Sequence, residues 1–293
     1  MTHSQAIRLQ REFYEKTNPS EDDIFLFTEA MEYLIDTTHD PRYMLELGGE
    51  YYELRRFDLA KKYYEMAAEY NETEAFVCLG YIYYYGRTGA PDYQKAFENY
   101  SRAMEAGHIV SAYKVADMYK NGYYVEKSYE NYKRIIEDLY PQVRDCRSLG
   151  DPVPEIFTRL AGIREKEGRT QEAVRLLWNA RSFLSQRIRY NPFFGNLTIM
   201  KYLIRDLWRL DEDMDEDDIS LYDLYHVLEK PGKVTFRWKD GTHEAEALLE
   251  DGEPVYRFDG QWFRTLDDFF AKAAIEGTLL TTLWNELYLF ELC

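Results

Sequence analysis

The residues best able to do chemistry are an acidic run, five histidines, three cysteines and a surplus of tyrosine. Seven of the eight residues 211–218 are acidic, and Asp211, Asp213, Asp215 and Asp217 alternate as the oxygen ligands of a calcium loop would. Such a loop needs glycine at its sixth position and a bidentate carboxylate at its twelfth, where this sequence has Glu216 and Tyr222. The run therefore reads as a charged, solvated linker, with room only for weak cation binding or attraction of a basic partner.

His3, His39, His108, His226 and His243 are dispersed, and no two stand at metal-ligand spacing. In the stretch HEAE, His243 and Glu246 would share a face only on a helix, whereas the flanking residues read as a strand. His108 follows an Ala-Gly pair that closes a helix pattern, which suits packing or exposure. Cys78, Cys146 and Cys293 are far apart and outside any CxxC spacing, so neither a disulfide framework nor a zinc site is expected. Cys78 lies in a helical pattern and reads as a small buried thiol. There is no GxSxG, no GxxxxGK[ST], no GxGxxG after a strand and no HExxH. The expectation is a protein without catalytic residues, cofactor or metal.

The tyrosines are the stronger signal. Of 27 in the chain, 19 fall between residues 43 and 140. Tyrosine joins a large apolar body to a polar tip, which serves packing seams and contact surfaces alike. Which of the two it serves depends on the elements that carry it.

Residues 4–16 form an amphipathic pattern with Ile7, Leu9 and Phe13 as candidate buried groups. Ser20 can cap the next helix, with Glu21, Asp22 and Asp23 favouring the positive end of its dipole. Phe27, Ala30, Met31, Leu34 and Ile35 then share one face at helical spacing. Pro41 opens a further helix, since a first turn tolerates its fixed φ and missing N–H. From there the sequence repeats. The first unit has Leu47-Gly48, Tyr51, Ala60, Tyr64 and Ala67; the second has Ala75, Leu79-Gly80, Tyr83, Ala96, Tyr100 and Ala103. Shifted by 36 residues, Leu79-Gly80, Tyr83 and Gly86 fall on Val115-Ala116, Tyr119 and Gly122. The third unit departs from the pattern in its second helix, with Asn131-Tyr132 where Lys95-Ala96 stood. Residues 141–155, with Pro141, Pro152 and Pro154, read as a connector. A fourth unit carries Leu160-Ala161, Gly168, Ala173, Leu177 and Ala180; Asn191-Pro192 ends it, and residues 197–210 supply a capping helix.

A period of this size marks a solenoid of helical hairpins. The first unit resembles the tetratricopeptide repeat in residue type and spacing. The second has four extra residues in its turn, GRTGAPDYQ, and closes on the Ala-Gly of MEAGHIVSA, and so is similar to the longer-turned Sel1-like repeat. The resemblance implies that the first helix of each hairpin lines the concave face. It puts groove positions at Gly49 and Tyr52, Tyr81 and Tyr84, Asp117 and Lys120, Gly162 and Glu165, with Leu45, Val77, Tyr113 and Thr158 beside them. Tyr83 and Tyr119 belong to the repeat signature and are expected to pack. Tyr81, Tyr84 and Tyr113 are the expected anchors for a peptide; the other reading, that the extra tyrosines only widen the core, stays open here. The Lys/Asn clamp that some tetratricopeptide proteins use for C-terminal carboxylates has no counterpart, because Gly49, Tyr81 and Asp117 stand at its amide sites.

After residue 210 the texture changes. Residues 211–230 read as an acidic linker and a helix, and 231–293 as a small α+β domain. Asp-Gly dipeptides beginning at Asp240, Asp251 and Asp259 separate short runs of β-formers, the signal for an antiparallel meander. Thr265 with Asp268 resembles a helix start, and residues 279–291 make another helix or a last strand. Most of Trp238, Phe258, Trp262, Phe263, Phe269 and Phe270 should form the core of this domain, any surplus being an exposed patch.

Charge follows the same division. Of the net −17, residues 211–293 carry −14, from 21 acidic and 7 basic residues, which leaves −3 for residues 1–210. Phosphate-rich partners are repelled at long range, so nucleic acid and anionic membranes are disfavoured. No run approaches the roughly 18 apolar residues of a membrane helix, and the first sixteen residues lack the apolar core of a signal peptide. The expected protein is mostly α, an α-α superhelix of residues 1–210 followed by the α+β domain, cytoplasmic, and a scaffold for a protein or peptide partner. The competing expectation is a regulatory role in a nucleic-acid-linked process through the C-terminal domain.

Overall fold

The computed structural model describes residues 1–190, 194–212, 223, 227–283 and 288–292. The chain divides into two compact units, Met1–Leu139 and Tyr140–Cys293. Among the described residues no helix is long and apolar enough to cross a membrane.

The first unit is a succession of antiparallel helices: α1 (His3–Tyr14), α2 (Glu21–Thr38), α3 (Pro41–Glu53), α4 (Phe57–Ala68), α5 (Thr73–Tyr84), α6 (Tyr93–Glu105), α7 (Ile109–Asn121) and the start of α8 (Tyr129–Val143). Their starts are written in the sequence. Thr2 caps α1 with Gln5, Ser20 caps α2 with Asp23, and Asp40 caps α3, which begins on Pro41. Each such cap satisfies orphan N–H groups and is worth about 1 kcal/mol. The expected face of α2 is buried in full. On α1, Phe13 is buried, but Ile7 is 36% exposed and Ala6 takes the inward position.

Two close approaches set the hairpins. Tyr64 of α4 lies on Gly48 of α3, and Tyr100 of α6 lies on Gly80 of α5. With Ala60 and Ala96 wholly buried, the paired helices approach closely and leave no room for larger residues. Tyr51, Tyr63 and Tyr64 join Leu47, Leu79 and Ile82 in one continuous core.

The helices also end alike. After α5, Gly86 is left-handed at φ 59°, its N–H donates to the Tyr83 carbonyl, and the Arg87 N–H donates to Ile82 at 2.9 Å. This is a Schellman cap. The same pair of bonds closes α3 around Arg55 (φ 57°) and α6 around Gly107 (φ 87°). In the third unit Ala116 and Ile136 are fully buried, and Tyr132 is buried at the position held by Ala96 in the second. The connector is shorter than expected. Helix α8 runs through Pro141 to Val143; the proline costs the one bond its N–H would make to the Glu137 carbonyl, and the helix ends two residues later.

The second unit holds α9 (Val153–Lys166), α10 (Thr170–Tyr190), α11 (Phe194–Leu210) and a five-stranded antiparallel sheet. Gly168 (φ 73°) closes α9 as Gly86 closes α5. The strands are β1 (Gly232–Trp238), β2 (Gly241–Glu250), β3 (Glu253–Phe258), β4 (Gln261–Phe263) and β7 (Tyr288–Leu292), in the order β4-β3-β2-β1-β7. A two-stranded hairpin, β5 (Ala274–Ile275) and β6 (Thr278–Leu279), lies between α12 (Leu266–Lys272) and α13 (Leu280–Leu283). Thr265 caps α12 by accepting the Asp268 N–H at 3.0 Å. Residues 279–291 thus contribute both a helical turn and a last strand.

Two Asp-Gly pairs behave as expected, with positive φ at Asp251-Gly252 and Asp259-Gly260 between paired strands. The first does not. Trp238 pairs with Gly241, so the turn is Lys239-Asp240, and the positive φ falls on Lys239. Gly241 instead lies against the His243 ring, where a Cβ would stand 2.9 Å from Nε2. Of the aromatic residues expected in this core, Trp238, Phe258, Phe263, Phe269 and Phe270 are buried, whereas Trp262 is 58% exposed.

Candidate functional site

Helix α5 ends on Tyr83 and Tyr84, with Tyr85 as its C-cap. Three consecutive residues on a helix point about 100° apart, so they cannot all face one core. Tyr83 leans on the core of the first repeats and donates to Glu65 Oε1 at 3.1 Å. Tyr84 and Tyr85 turn toward the following repeat, and there the sequence brings up Tyr113 and Lys114 on α7.

The result is a cluster of tyrosine rings about one ammonium. Tyr81 and Tyr85 are stacked at 6.0 Å, Tyr84 meets Tyr85 edge-on at 5.0 Å, and Tyr100 supports both Tyr81 and Tyr84 from below. Lys114 Nζ lies 5.3 Å from the ring centre of Tyr81, 5.5 Å from Tyr84, 5.4 Å from Tyr85 and 5.7 Å from Tyr113. It donates to Tyr85 Oη at 3.1 Å. The faces of aromatic rings carry negative potential, which holds a cation more strongly as water is removed. Tyr84 extends the cluster to Tyr93 and Tyr123, themselves stacked at 4.5 Å.

A second cation continues the array. The Arg87 guanidinium, placed by the Schellman turn, lies 5.4 Å from the centre of Tyr85, 5.5 Å from Phe57 and 5.9 Å from Tyr52. Its Nε donates to Tyr52 Oη at 3.2 Å. Tyr52 of the first repeat is thereby joined to the second through the longer turn at residues 86–93.

Of the residues expected in the groove, Tyr52, Tyr81 and Tyr84 are half-buried and belong to this array. Tyr113 is only 7% exposed, so it forms the floor and cannot serve as an open anchor. Asp117 is half-buried one turn beyond Tyr113. Burial first, and Asp117 next, push the Tyr84 hydroxyl up to about 12. Lys120 is exposed, and its ammonium lies 5.1 Å over a different ring, Tyr132. Arg87, Lys114 and Tyr85 were not expected here. Their signal is the YYYG triplet and the long turn, but the partners of Lys114 lie in the preceding repeat and depend on how hairpins stack.

The other candidate groups have structural partners. His108 caps α7, its Nδ1 accepting the Ser111 N–H at 3.2 Å. His243 meets Asp259 Oδ2 at 2.6 Å and stacks on Phe258, while Glu246 pairs with Arg257. Burial pushes the Cys78 thiol up to about 12, the reverse of an activated nucleophile. In the acidic run, Asp211 accepts from Trp178 Nε1 at 2.5 Å, while Asp213, Asp215, Glu216, Asp217 and Tyr222 lie outside the described residues. His226 and most of the helix expected before residue 230 also lie outside them.

Two solved structures are similar to this chain. A Sel1 repeat protein from Oxalobacter formigenes is 18% identical, with 70% of this chain and 77% of that one covered and a TM-score of 0.51. The protein c5321, a protective antigen present in uropathogenic Escherichia coli strains displaying an SLR fold, is 19% identical with a TM-score of 0.55. The match covers 76% of this chain but only 44% of c5321, so the chain spans less than half of that protein's length. No family model matches the sequence, and no curated protein matches it. At such identities the likeness is one of fold. With its glycine–tyrosine hairpins and longer second turn, this chain has the fold of a Sel1-like helical repeat protein, to which a small antiparallel sheet region is appended.

Proposed function

We propose that the chain is a scaffold without catalytic activity that holds a segment of a partner protein on the repeat face carrying Tyr52, Tyr81, Tyr84, Tyr113, Asp117 and Lys120. The observation that supports this reading is the state of Tyr81 and Tyr84. Both keep part of their surface open while Tyr85, Tyr100 and Lys114 fix their rings. Aromatic side chains already ordered in the free protein bury much area on binding and have little conformational entropy left to lose. In this reading Tyr113 is the floor, Asp117 sits beside it, and Lys120 extends the face along the third repeat.

The test is quantitative affinity capture with the full chain and with its Tyr81→Ala/Tyr84→Ala variant, each first checked for native helicity. Proteins retained by the wild type and lost by the variant are the expected result. Identical partner sets would remove the groove assignment.

A further inference from the structure

Resting on that reading, we propose that Arg87 and Lys114 are the recognition centres for an acidic peptide segment, whose carboxylates they bind while its backbone crosses the Tyr81–Tyr84 face. The chain has 53 acidic residues, and many surface cations are paired, such as Arg42 with Asp40 and Lys95 with Asp92. Among the described residues neither Arg87 nor Lys114 meets a carboxylate; each is held on tyrosine and phenylalanine faces instead. Arg87 commits one of its five N–H donors, to Tyr52, and Lys114 one of its three, to Tyr85. The rings orient the remaining donors and leave them available, an arrangement suited to charge-assisted hydrogen bonds with carboxylates.

Beneath the same array, Tyr100 is fully buried and its hydroxyl has no hydrogen-bond partner. Burial first, and then the phenols of Tyr81, Tyr85, Tyr113 and Tyr84, raise this hydroxyl, while its ring meets those of Tyr81 and Tyr84. A buried donor without an acceptor is unfavourable, and the cluster carries that penalty at its base.

The separation of the two cations allows a carboxylate for each. Both cations lie 5.4 Å from the centre of Tyr85, so they are no more than about 11 Å apart. An extended peptide rises about 3.3 Å per residue, so carboxylates two or three positions apart fall within that limit.

The experiment is selection of a random peptide library on the full chain, on Arg87→Gln/Lys114→Gln, and on Tyr81→Ala/Tyr84→Ala. The wild type is expected to enrich peptides with Asp or Glu at two positions two or three residues apart. The winning peptide should bind Arg87→Gln and Lys114→Gln each about tenfold or more weakly, the scale of a hydrogen bond to a charged group. Its Asp/Glu→Asn/Gln analogue should show the same loss, and Arg87→Lys and Lys114→Arg should recover part of the binding. Inorganic phosphate should not displace it; displacement at equal ionic strength would reassign the centres to a phosphate ligand. Peptides that depend on Tyr81 and Tyr84 but show no acidic preference would overturn the carboxylate assignment alone. Failure to enrich any peptide would overturn it together with the groove reading.

Discussion

The ring of Tyr100 rests on the backbone of Gly80. A methyl group at that glycine would stand 2.5 Å from Cδ1, and closer still to Cε1, of a residue with no exposed surface. The relationship recurs one repeat earlier, where Tyr64 Cε1 lies 2.6 Å from the corresponding point on Gly48. In both hairpins a tyrosine fills the space that the missing side chain leaves.

Gly80→Ala is therefore expected to destabilise the first unit by about 2–3 kcal/mol through overpacking, although alanine is the better helix former. Gly49, beside Gly48 on α3, has nothing within 4 Å of the point where a methyl group would stand. There Gly49→Ala should stabilise by up to about 1 kcal/mol. Urea unfolding of the two variants checks both signs, and equal effects would contradict the close-approach account.

Arg55 occupies the left-handed position that glycine holds after α5 and α9. Its side chain is exposed, so relief of backbone strain is the dominant effect of replacing it. Arg55→Gly should stabilise by about 0.5–1 kcal/mol, read as a raised melting temperature.

The tyrosine seams make the fold sensitive to alkali. Burial raises the hydroxyls of Tyr83 and Tyr84 to about 12, and those of Tyr63, Tyr64 and Tyr100 further still. The folded state thus favours the neutral phenol. That stabilisation is complete below the ordinary value of about 10 and is lost as pH rises through 12. Phenolate absorbance should show these residues titrating late and together with unfolding, whereas all 27 titrate near about 10 in denaturant.

In the second unit Asp223 is wholly buried and accepts from Arg181 Nη2 and Trp208 Nε1, both at 2.9 Å. Asp223→Ala deprives a buried guanidinium of this counter-charge and should cost about 3–5 kcal/mol, seen as faster hydrogen exchange in α10 and α11. Arg181→Met/Asp223→Leu should recover most of the loss, because removing both charges also removes the desolvation burden.

What the sequence made legible was whatever depended on neighbours within one hairpin. Leu79, Gly80, Ala96 and Tyr100 announce their packing because helix pairing fixes which positions meet. Lys114 was invisible on the same terms, since its partner Tyr85 lies in another hairpin and nothing local marks the meeting. Tyr113 stands in the register of Val77, beside the expected groove, yet burial by the neighbouring helices made it a floor. The first Asp-Gly signal failed by one residue because the pairing of Trp238 with Gly241 puts the turn at Lys239-Asp240 and leaves the glycine in the strand. Pro141 marked the helix end two residues early, since the missing N–H removes one bond without ending the helix at once.

The strand order of the sheet has a consequence for how the molecule is made. Residues 288–292 lie beside β1, more than fifty positions earlier in the chain, and among the described residues no other strand covers that edge. The hairpins of the first unit pair sequence neighbours and can form one after another as they leave the ribosome. Strands β1 to β4 likewise pair sequence neighbours, but the outer edge of β1 must wait for β7 and is exposed to any other extended chain meanwhile. Synthesis of this protein is thus divided in time: an early part that folds as it emerges, and a later part whose edge is protected only when translation has passed residue 292.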